Sequence, residues 1–188
     1  MAEVTILLPG YYLPGPPVRA CASIVLVRDG ALNILVDPGA LPEPGLLAAR
    51  LADVGLTAGD VQIVFLTHTH LDHCRSLGLF PTARVLDAWG WWEGDTWRAY
   101  DGELSPDTAV IATPGHSDDG LTLLVRTAQG RIALCGDVFF AEAPVETHDP
   151  FATHQAQLEA SRRAVLAAAN LVIPGHGPMF AVTTPMVQ

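Results

Sequence analysis

Residues 61–73 read VQIVFLTHTHLDH, an apolar run followed at once by a cluster of histidine and aspartate. The first six residues have the length and composition of a strand that is buried on both faces, as in a parallel sheet. Alternate residues of an extended chain project to the same side, so His68 and His70 can share one metal ion. The chain must then turn, and a helix start would direct the adjacent Asp72 and His73 at a second ion. The stretch therefore predicts an α/β sheet with a metal site at the end of a strand.

The sequence before this stretch has the pattern of a hairpin and a helix. Two strand-like segments, 20–27 and 31–36, flank Asp29-Gly30, a dipeptide that favours a tight turn. Residues 46–54 have the apolar spacing of a helix, and Gly55 stands where a left-handed residue would close it. We therefore expect a β-hairpin and then a helix before the buried strand.

The sequence after the cluster predicts more strands and a second helix. The helix is predicted from Asp149-Pro150, a cap followed by a proline in the first turn, to about Ala169. The strands are predicted at 83–86, 109–112, 121–125, 132–135 and 171–173. Alternation of strands and helices without a linker or repeat predicts a single α/β domain over residues 1–188.

Composition and charge narrow the class of protein. A hydrophobic fraction of 49% with 16% charged residues is typical of a globular domain. A net charge of −10 opposes binding to polyanions, so nucleic acid is not the first-choice partner. The three cysteines are odd in number and lack Cys-x-x-Cys spacing, which indicates reduced thiols. No apolar run approaches the roughly 18 residues of a membrane span, and no leader pattern opens the chain, so we expect a cytoplasmic protein without a membrane partner.

Three more polar residues stand in glycine-containing turns at the ends of predicted strands. They are His116 in TPGH, Asp137 in CGD and His176 in PGHG. Strand ends of an α/β sheet meet at one edge, where such proteins place their sites. Glycine lets the backbone bend sharply, so that the next side chain can point into the site. Imidazole and carboxylate ligands suit zinc first, and also iron or manganese.

The order His-x-His-x-Asp-His, His, Asp and Gly-His-Gly resembles the metallo-β-lactamase superfamily over essentially the whole chain. The resemblance implies a four-layer αββα sandwich with the site at one edge of its two sheets. It also implies two divalent metal ions, the first held by His68, His70 and His116 and the second by Asp72, His73 and His176, with Asp137 as a bridge. Asp37, in LVDPG, matches an aspartate that the family uses to orient the ligand loop.

Two metal ions imply a mechanism. A hydroxide bridging the ions would attack a small ester, thioester or lactone, and the ions would stabilise the negative charge of the transition state. Asp72 could also accept the proton of the attacking water, which makes it the candidate catalytic residue. No serine or cysteine nucleophile is required.

Several alternatives stay open within and outside this function. Asp137 together with His73 points away from true β-lactamases and towards glyoxalase II-type thioesterases, acyl-homoserine lactonases and nucleases. Segments around Cys74, His116, Asp137 and His176 are similar to one subgroup of the superfamily that includes an endonuclease, so phosphodiester or RNA cleavage is one alternative. A mononuclear iron persulfide dioxygenase is another, and a silent binding module is a third.

All four tryptophans lie between residues 89 and 97. Such a concentration could form an apolar rim that binds a small-molecule substrate through Trp91 and Trp92, or the contact of a homodimer. Ordinary packing beneath a loop is the alternative. Tyr11 and Tyr12 could face the same opening.

Overall fold

Two β-sheets form the centre of the structure, a computed structural model that describes residues 1–43 and 45–183. The strands are β1 (Glu3–Leu8), β2 (Tyr11–Leu13), β3 (Arg19–Cys21), β4 (Ile24–Asp29), β5 (Leu32–Val36), β6 (Ile63–Phe65), β7 (Arg84–Asp87), β8 (Gly90–Glu93), β9 (Thr96–Arg98), β10 (Thr108–Ala112), β11 (Leu121–Thr127), β12 (Gly130–Leu134), β13 (Leu171–Ile173) and β14 (Phe180–Ala181). The helices are α1 (Leu46–Asp53), α2 (Leu71–Cys74) and α3 (Gln155–Ala168).

The strands are divided between two mixed sheets and a small ribbon. The first sheet has the order β1-β4-β5-β6-β7-β8-β9, and its central strands β5, β6 and β7 run parallel. The second sheet has the order β10-β11-β12-β13-β14, with β12 and β13 parallel. The antiparallel ribbon pairs β2 with β3. Most strands carrying the site thus lie near the middle of a sheet, where both edges are hydrogen-bonded.

The apolar side chains place the two sheets face to face. Along β4, Val25 and Val27 point into a core that also contains Val125 and Leu134 of the second sheet. The alternate residues of the first sheet pack on α1 through Leu47 and Leu51, in a second cluster. A third cluster joins the outer face of the second sheet to α3 through Leu158 and Val165. The order helix, sheet, sheet, helix confirms the predicted αββα sandwich.

The predicted hairpin and first helix are confirmed, with shifted bounds. β4 and β5 pair antiparallel across Gly30, whose φ is +62°, and Gly55 follows α1 with a φ of +77°. Residues 20 to 21 do not belong to the hairpin, because Arg19–Cys21 pairs with Tyr11–Leu13 in the separate ribbon.

The predicted start of the second helix is wrong. α3 begins at Gln155, whereas Asp149-Pro150 lies in a turn. The Asp149 carboxylate accepts a hydrogen bond from the Phe151 amide at 2.9 Å, and its other oxygen is 2.7 Å from the His116 ring. An aspartate before proline is a helix cap or a turn former, and here the long-range contact decides in favour of the turn. None of the helices in the described part of the chain is long and apolar enough to cross a membrane.

Candidate metal centre

The seven predicted ligands all follow the ends of strands, in four segments of the chain. His68 and His70 lie in the loop after β6, and α2 carries Asp72 and His73. The turns after β10, β12 and β13 carry His116, Asp137 and His176. The structure brings all seven side chains together at one edge of the sandwich, as their strand-end positions predict.

Three histidines form the first group of potential ligands. The Nδ1 atom of His70 is 3.0 Å from Nε2 of His68 and 3.1 Å from Nε2 of His116. A tetrahedral zinc ion with Zn–N bonds of about 2.0–2.1 Å separates its nitrogen ligands by roughly 3.3 Å. These three nitrogen atoms therefore have the spacing of ligands to one ion.

The second group contains a carboxylate and two imidazoles, and Asp137 lies between the groups. Nε2 of His176 is 3.3 Å from Oδ2 of Asp72. Oδ1 of Asp137 is 3.2 Å from Nε2 of His73 and 3.3 Å from Nε2 of His176. Oδ2 of the same carboxylate is 3.4 Å from Nε2 of His116. The two oxygens of Asp137 thus face different groups.

Carboxylates fix the orientation of two of these rings. Nδ1 of His73 donates to Oδ2 of Asp37 at 2.8 Å, and Nδ1 of His116 donates to Oδ2 of Asp149 at 2.7 Å. Because an ionised carboxylate can only accept, each Nδ1 carries a proton, and in the neutral ring each Nε2 presents its lone pair to the cluster. This is the tautomer that a metal ligand needs.

Backbone and hydroxyl oxygens fix two more rings. Nδ1 of His176 lies 3.1 Å from the carbonyl of Tyr11 and 3.2 Å from that of Cys21, so it must donate. The Thr67 hydroxyl donates to Asp37 and can accept from Nδ1 of His68 at 3.2 Å. Nε2 of each of these two rings therefore also faces the cluster and is free to bind a metal ion once it is deprotonated.

The Asp37 carboxylate connects the ligand loop to the sheet, at the position where the family resemblance implies an aspartate that orients this loop. Its carboxylate accepts from the Thr67 amide at 2.8 Å and the Thr67 hydroxyl at 2.7 Å, besides the His73 ring. Asp37 is buried and has a φ of +50°, a conformation that non-glycine residues rarely adopt. Backbone strain of this kind persists where the surrounding contacts hold it in place, most often at functional sites.

Buried polar atoms in the cluster lack hydrogen bonds within the described residues. They are Nε2 of His73, Oδ1 of Asp137 and Nε2 of His176, with Oγ of Ser117 close by in sequence. A buried acceptor without a donor costs about 1–3 kcal/mol, and more if it is charged. A divalent cation would satisfy all three acceptors of the cluster. The residues present thus fit a metal centre built from nitrogen and oxygen ligands.

The electrostatics of the cluster favour positive charge. Burial lowers the pKa of His73, but the Asp137 and Asp37 carboxylates outweigh it and hold the pKa well above its ordinary value. Burial likewise opposes the charged form of His176, yet the Asp137 and Asp72 carboxylates, each 3.3 Å from Nε2, raise the pKa to about 9. Burial raises and the neighbouring histidines lower the pKa of Asp137, which ends well below its ordinary value. The carboxylates therefore stabilise cations between them.

Asp149 contacts the cluster but is not indicated by any sequence motif. Its carboxylate is buried, orients the His116 ring and is 33 positions away from it in the chain. The two loops are also joined by the backbone, since the Thr153 amide donates to the His116 carbonyl at 3.1 Å. Asp149 has no motif around it, so its role is visible only in the contact.

We expect Asp149→Ala to lower metal affinity about 10- to 100-fold, because it releases the proton-bearing Nδ1 of His116. Competition with a chromophoric chelator measures this affinity. The Asp149→Asn variant keeps an oxygen that can accept from Nδ1 of His116, so its metal affinity should fall less than that of Asp149→Ala. Asp118→Asn is the matched control, because that side chain belongs to the same loop region but is 78% exposed. Equal affinities for the Asp149→Ala variant and the unmodified protein would contradict the role.

The tryptophans lie apart from the cluster. Trp91 is only 8% exposed and packs in the core between the sheets, with the Arg84 guanidinium 4.6 Å from its ring centre. Trp92 is 38% exposed on the same strand. The cavity beside Trp91, of about 290 Å³, is lined by none of the seven clustered residues. Substrate binding by Trp91 and Trp92, and the homodimer contact, gain no support from this placement and stay predictions.

Comparison with known proteins gives consistent matches. The family model described as the metallo-beta-lactamase superfamily matches residues 18–176. The chain is 33% identical to "Metallo-beta-lactamase domain-containing protein 1" of Xenopus laevis, over 96% of this chain and 82% of that protein. A "Ribonuclease Z" of Mycobacterium bovis is 45% identical over 78 residues, 42% of this chain and 25% of that protein. A solved metallo-beta-lactamase-type structure from Thermotoga maritima has a TM-score of 0.73 and 20% identity, covering 96% of this chain and 99% of that chain.

Proposed function

The chain belongs to the metallo-β-lactamase superfamily and is a metal-dependent hydrolase of that family, and we propose that it uses two divalent ions to cleave a small ester, thioester or lactone. The resemblance seen in the sequence motifs is confirmed, both for the superfamily and for the subgroup of domain-containing protein 1. The number of ions, their identity and the substrate belong to the proposal.

One observation supports the two-ion proposal above the others. The oxygens of the buried Asp137 carboxylate face two separate sets of nitrogen atoms, at 3.2 to 3.4 Å. We infer that Asp137 bridges the ions. The first would be held by His68, His70 and His116, and the second by Asp72, His73 and His176.

The chain's own residues would orient the reactants. When bound, the two ions supply a water molecule of lowered pKa and stabilise negative charge on the substrate. Burial raises the pKa of Asp72, but its hydrogen bond with His176 and the charge of His73 outweigh this and leave it below its ordinary value. Asp72 is therefore ionised near neutral pH, and its side chain is 28% exposed, the most open of the carboxylates in the cluster. We assign it the proton that the attacking water gives up.

We expect about two equivalents of metal per chain, with zinc the first choice for this ligand set. Removal by a chelator should abolish hydrolysis and lower Tm by about 10–20 °C, since each of two ions present at about 100 times Kd contributes about 2.7 kcal/mol of stability. Elemental analysis and differential scanning calorimetry measure both effects. One iron per chain together with oxygen uptake would instead support the dioxygenase alternative.

Phosphodiester cleavage is a second candidate, favoured by the local identity of 45% to a ribonuclease Z. That match spans only 25% of the ribonuclease. The ten basic residues of the chain, all arginine, are outnumbered by 20 acidic residues. The resulting net charge of −10 opposes binding of a polyanion. A panel of thioesters, lactones, phosphodiesters and short RNA separates the candidates. If short RNA is turned over faster than every thioester and lactone of the panel, phosphodiester cleavage becomes the first proposal and hydrolysis of a carboxylic ester the second.

A further inference from the structure

An apolar cavity of about 390 Å³ opens beside the metal centre. Its walls are formed by the segment from Thr147 to Phe151 together with Tyr12, Phe140, Ala141, Ala143 and Arg162. The rings of Phe140 and Phe151 are 6.4 Å apart and inclined by 28°, and Tyr12 lies edge-on to Phe140 at 5.2 Å. Such a volume with aromatic walls is typical of small-molecule sites.

The cavity is joined to both sides of the metal centre. The ring of Phe140 is 4.4 Å from the ring of His176, and the His176 amide donates to the Phe140 carbonyl at 2.8 Å. On the opposite wall, Asp149 is bonded to the ring of His116. None of the seven clustered residues lines the cavity, but a single side chain separates it from one ligand of each proposed ion, Phe140 on the side of His176 and Asp149 on the side of His116.

The charged groups of the cavity are already bonded within the protein. Arg162 is 3% exposed and donates to the carbonyls of Val138 and Thr147, at 2.8 and 2.5 Å. The Asp149 oxygens accept from His116 and from the Phe151 amide. Arg162 is thus bonded to backbone carbonyls through Nε and Nη1, His148 is the exposed imidazole of the wall, and ring faces and alkyl groups make up most of the surface available for contact. These walls suit an uncharged, apolar group.

We propose that this cavity binds the apolar acyl chain of the substrate, with about six to eight carbon atoms, and so defines the substrate as a medium-chain ester, thioester or lactone. The volume sets the upper limit, since a water-sized group occupies about 30 Å³ and 390 Å³ would hold about thirteen of them, of which the open mouth leaves only a part enclosed. The inference rests on the proposed hydrolase function. In that reaction the acyl C–O or C–S bond breaks, a hydroxyl from water joins the acyl carbon, and the alcohol or thiol leaves with a proton.

The chain-length dependence of hydrolysis tests the cavity. Each buried methylene contributes up to about fourfold in binding, so kcat/KM should rise about 30- to 200-fold from p-nitrophenyl acetate to p-nitrophenyl hexanoate. A dependence of less than about threefold across this series would overturn the inference while leaving the hydrolase in place.

Two variants of the cavity wall sharpen the test. Ala143→Phe should fill the cavity and lower the hexanoate-to-acetate ratio at least about tenfold. Phe151→Ala, at a side chain that is 53% exposed, removes one wall and should lower the ratio about fivefold without unfolding the chain. Leu79→Ala is the control, because Leu79 is 48% exposed and does not line the cavity. Unchanged ratios in both wall variants would contradict the assignment.

Binding to the metal-free protein separates the cavity from the chemistry. Hexanamide, an uncharged probe, should bind at least tenfold more tightly than acetamide by ligand-observed NMR, and Ala143→Phe should abolish the difference. If this preference is found and no ester is hydrolysed, the cavity assignment stands and the proposed function fails. If esters are hydrolysed and hexanamide shows no preference, the cavity assignment fails alone.

Discussion

Asp137→Asn is expected to remove at least one metal ion per chain and to lower kcat/KM for any carboxylic ester that is turned over by at least about 100-fold. Outer-shell substitutions typically cost 10- to 100-fold in metal affinity, and the loss of a bridging charge should exceed that range. The amide has the shape of the carboxylate, and its N–H groups can donate to the Nε2 atoms of His73 and His176, which lie 3.2 and 3.3 Å from Oδ1. The fold should therefore persist while the centre is lost.

Asp53→Asn is the matched control for this substitution. Asp53 ends α1, and its side chain is 63% exposed and paired with Arg50. Elemental analysis, kinetics and circular dichroism of both variants measure metal content, activity and folding. If the Asp137→Asn variant keeps two equivalents of metal and its full activity, Asp137 does not bridge the ions and the two-ion proposal is wrong.

Gly175→Ala is expected to disrupt the centre although it replaces none of the seven proposed ligands. A β-carbon at Gly175 would lie 1.8 Å from Oδ1 of Asp137. The loop cannot withdraw, because the Gly175 amide donates to the carbonyls of Gly136 and Phe139 at 2.9 and 3.1 Å and its carbonyl accepts from Ser23 at 2.7 Å. Asp137 must move instead. Overpacking of this kind costs about 1–3 kcal/mol, and we expect at least about 100-fold loss of activity with metal loss.

Gly78→Ala controls for the general effect of replacing a glycine. A β-carbon at Gly78 would meet nothing within 4 Å. Thermal unfolding and metal titration of the two variants compare stability and affinity. If the Gly175→Ala variant binds metal with unaltered affinity, the Asp137 carboxylate can be displaced without harm to the centre. The assignment of Asp137 as a bridge between the ions would then be wrong.

The fold follows largely from local patterns in the sequence. The apolar run at residues 61–66 contains the central parallel strand β6. A strand that is buried on both faces does not need to alternate apolar and polar residues. The hairpin across Gly30 follows from turn chemistry. Local pattern fails at Asp149-Pro150, where the dipeptide fits a helix start but the contact with His116 holds a turn. Pairings that depend on distant residues are not encoded in local spacing.

The sequence by itself determines which residues can bind metal, because the spacing of His68, His70, Asp72 and His73 places them on one loop and one helix start. Only the tertiary structure decides which nitrogen of each ring faces the cluster, because the acceptors that hold the protons come from other segments, such as Asp37 for His73 and Asp149 for His116. The apolar cavity is decided in the same way, since Tyr12 and Phe140 meet across most of the chain. The candidate ligands can be identified from the sequence, whereas their protonation, their orientation and the neighbouring cavity arise from contacts between segments far apart in it.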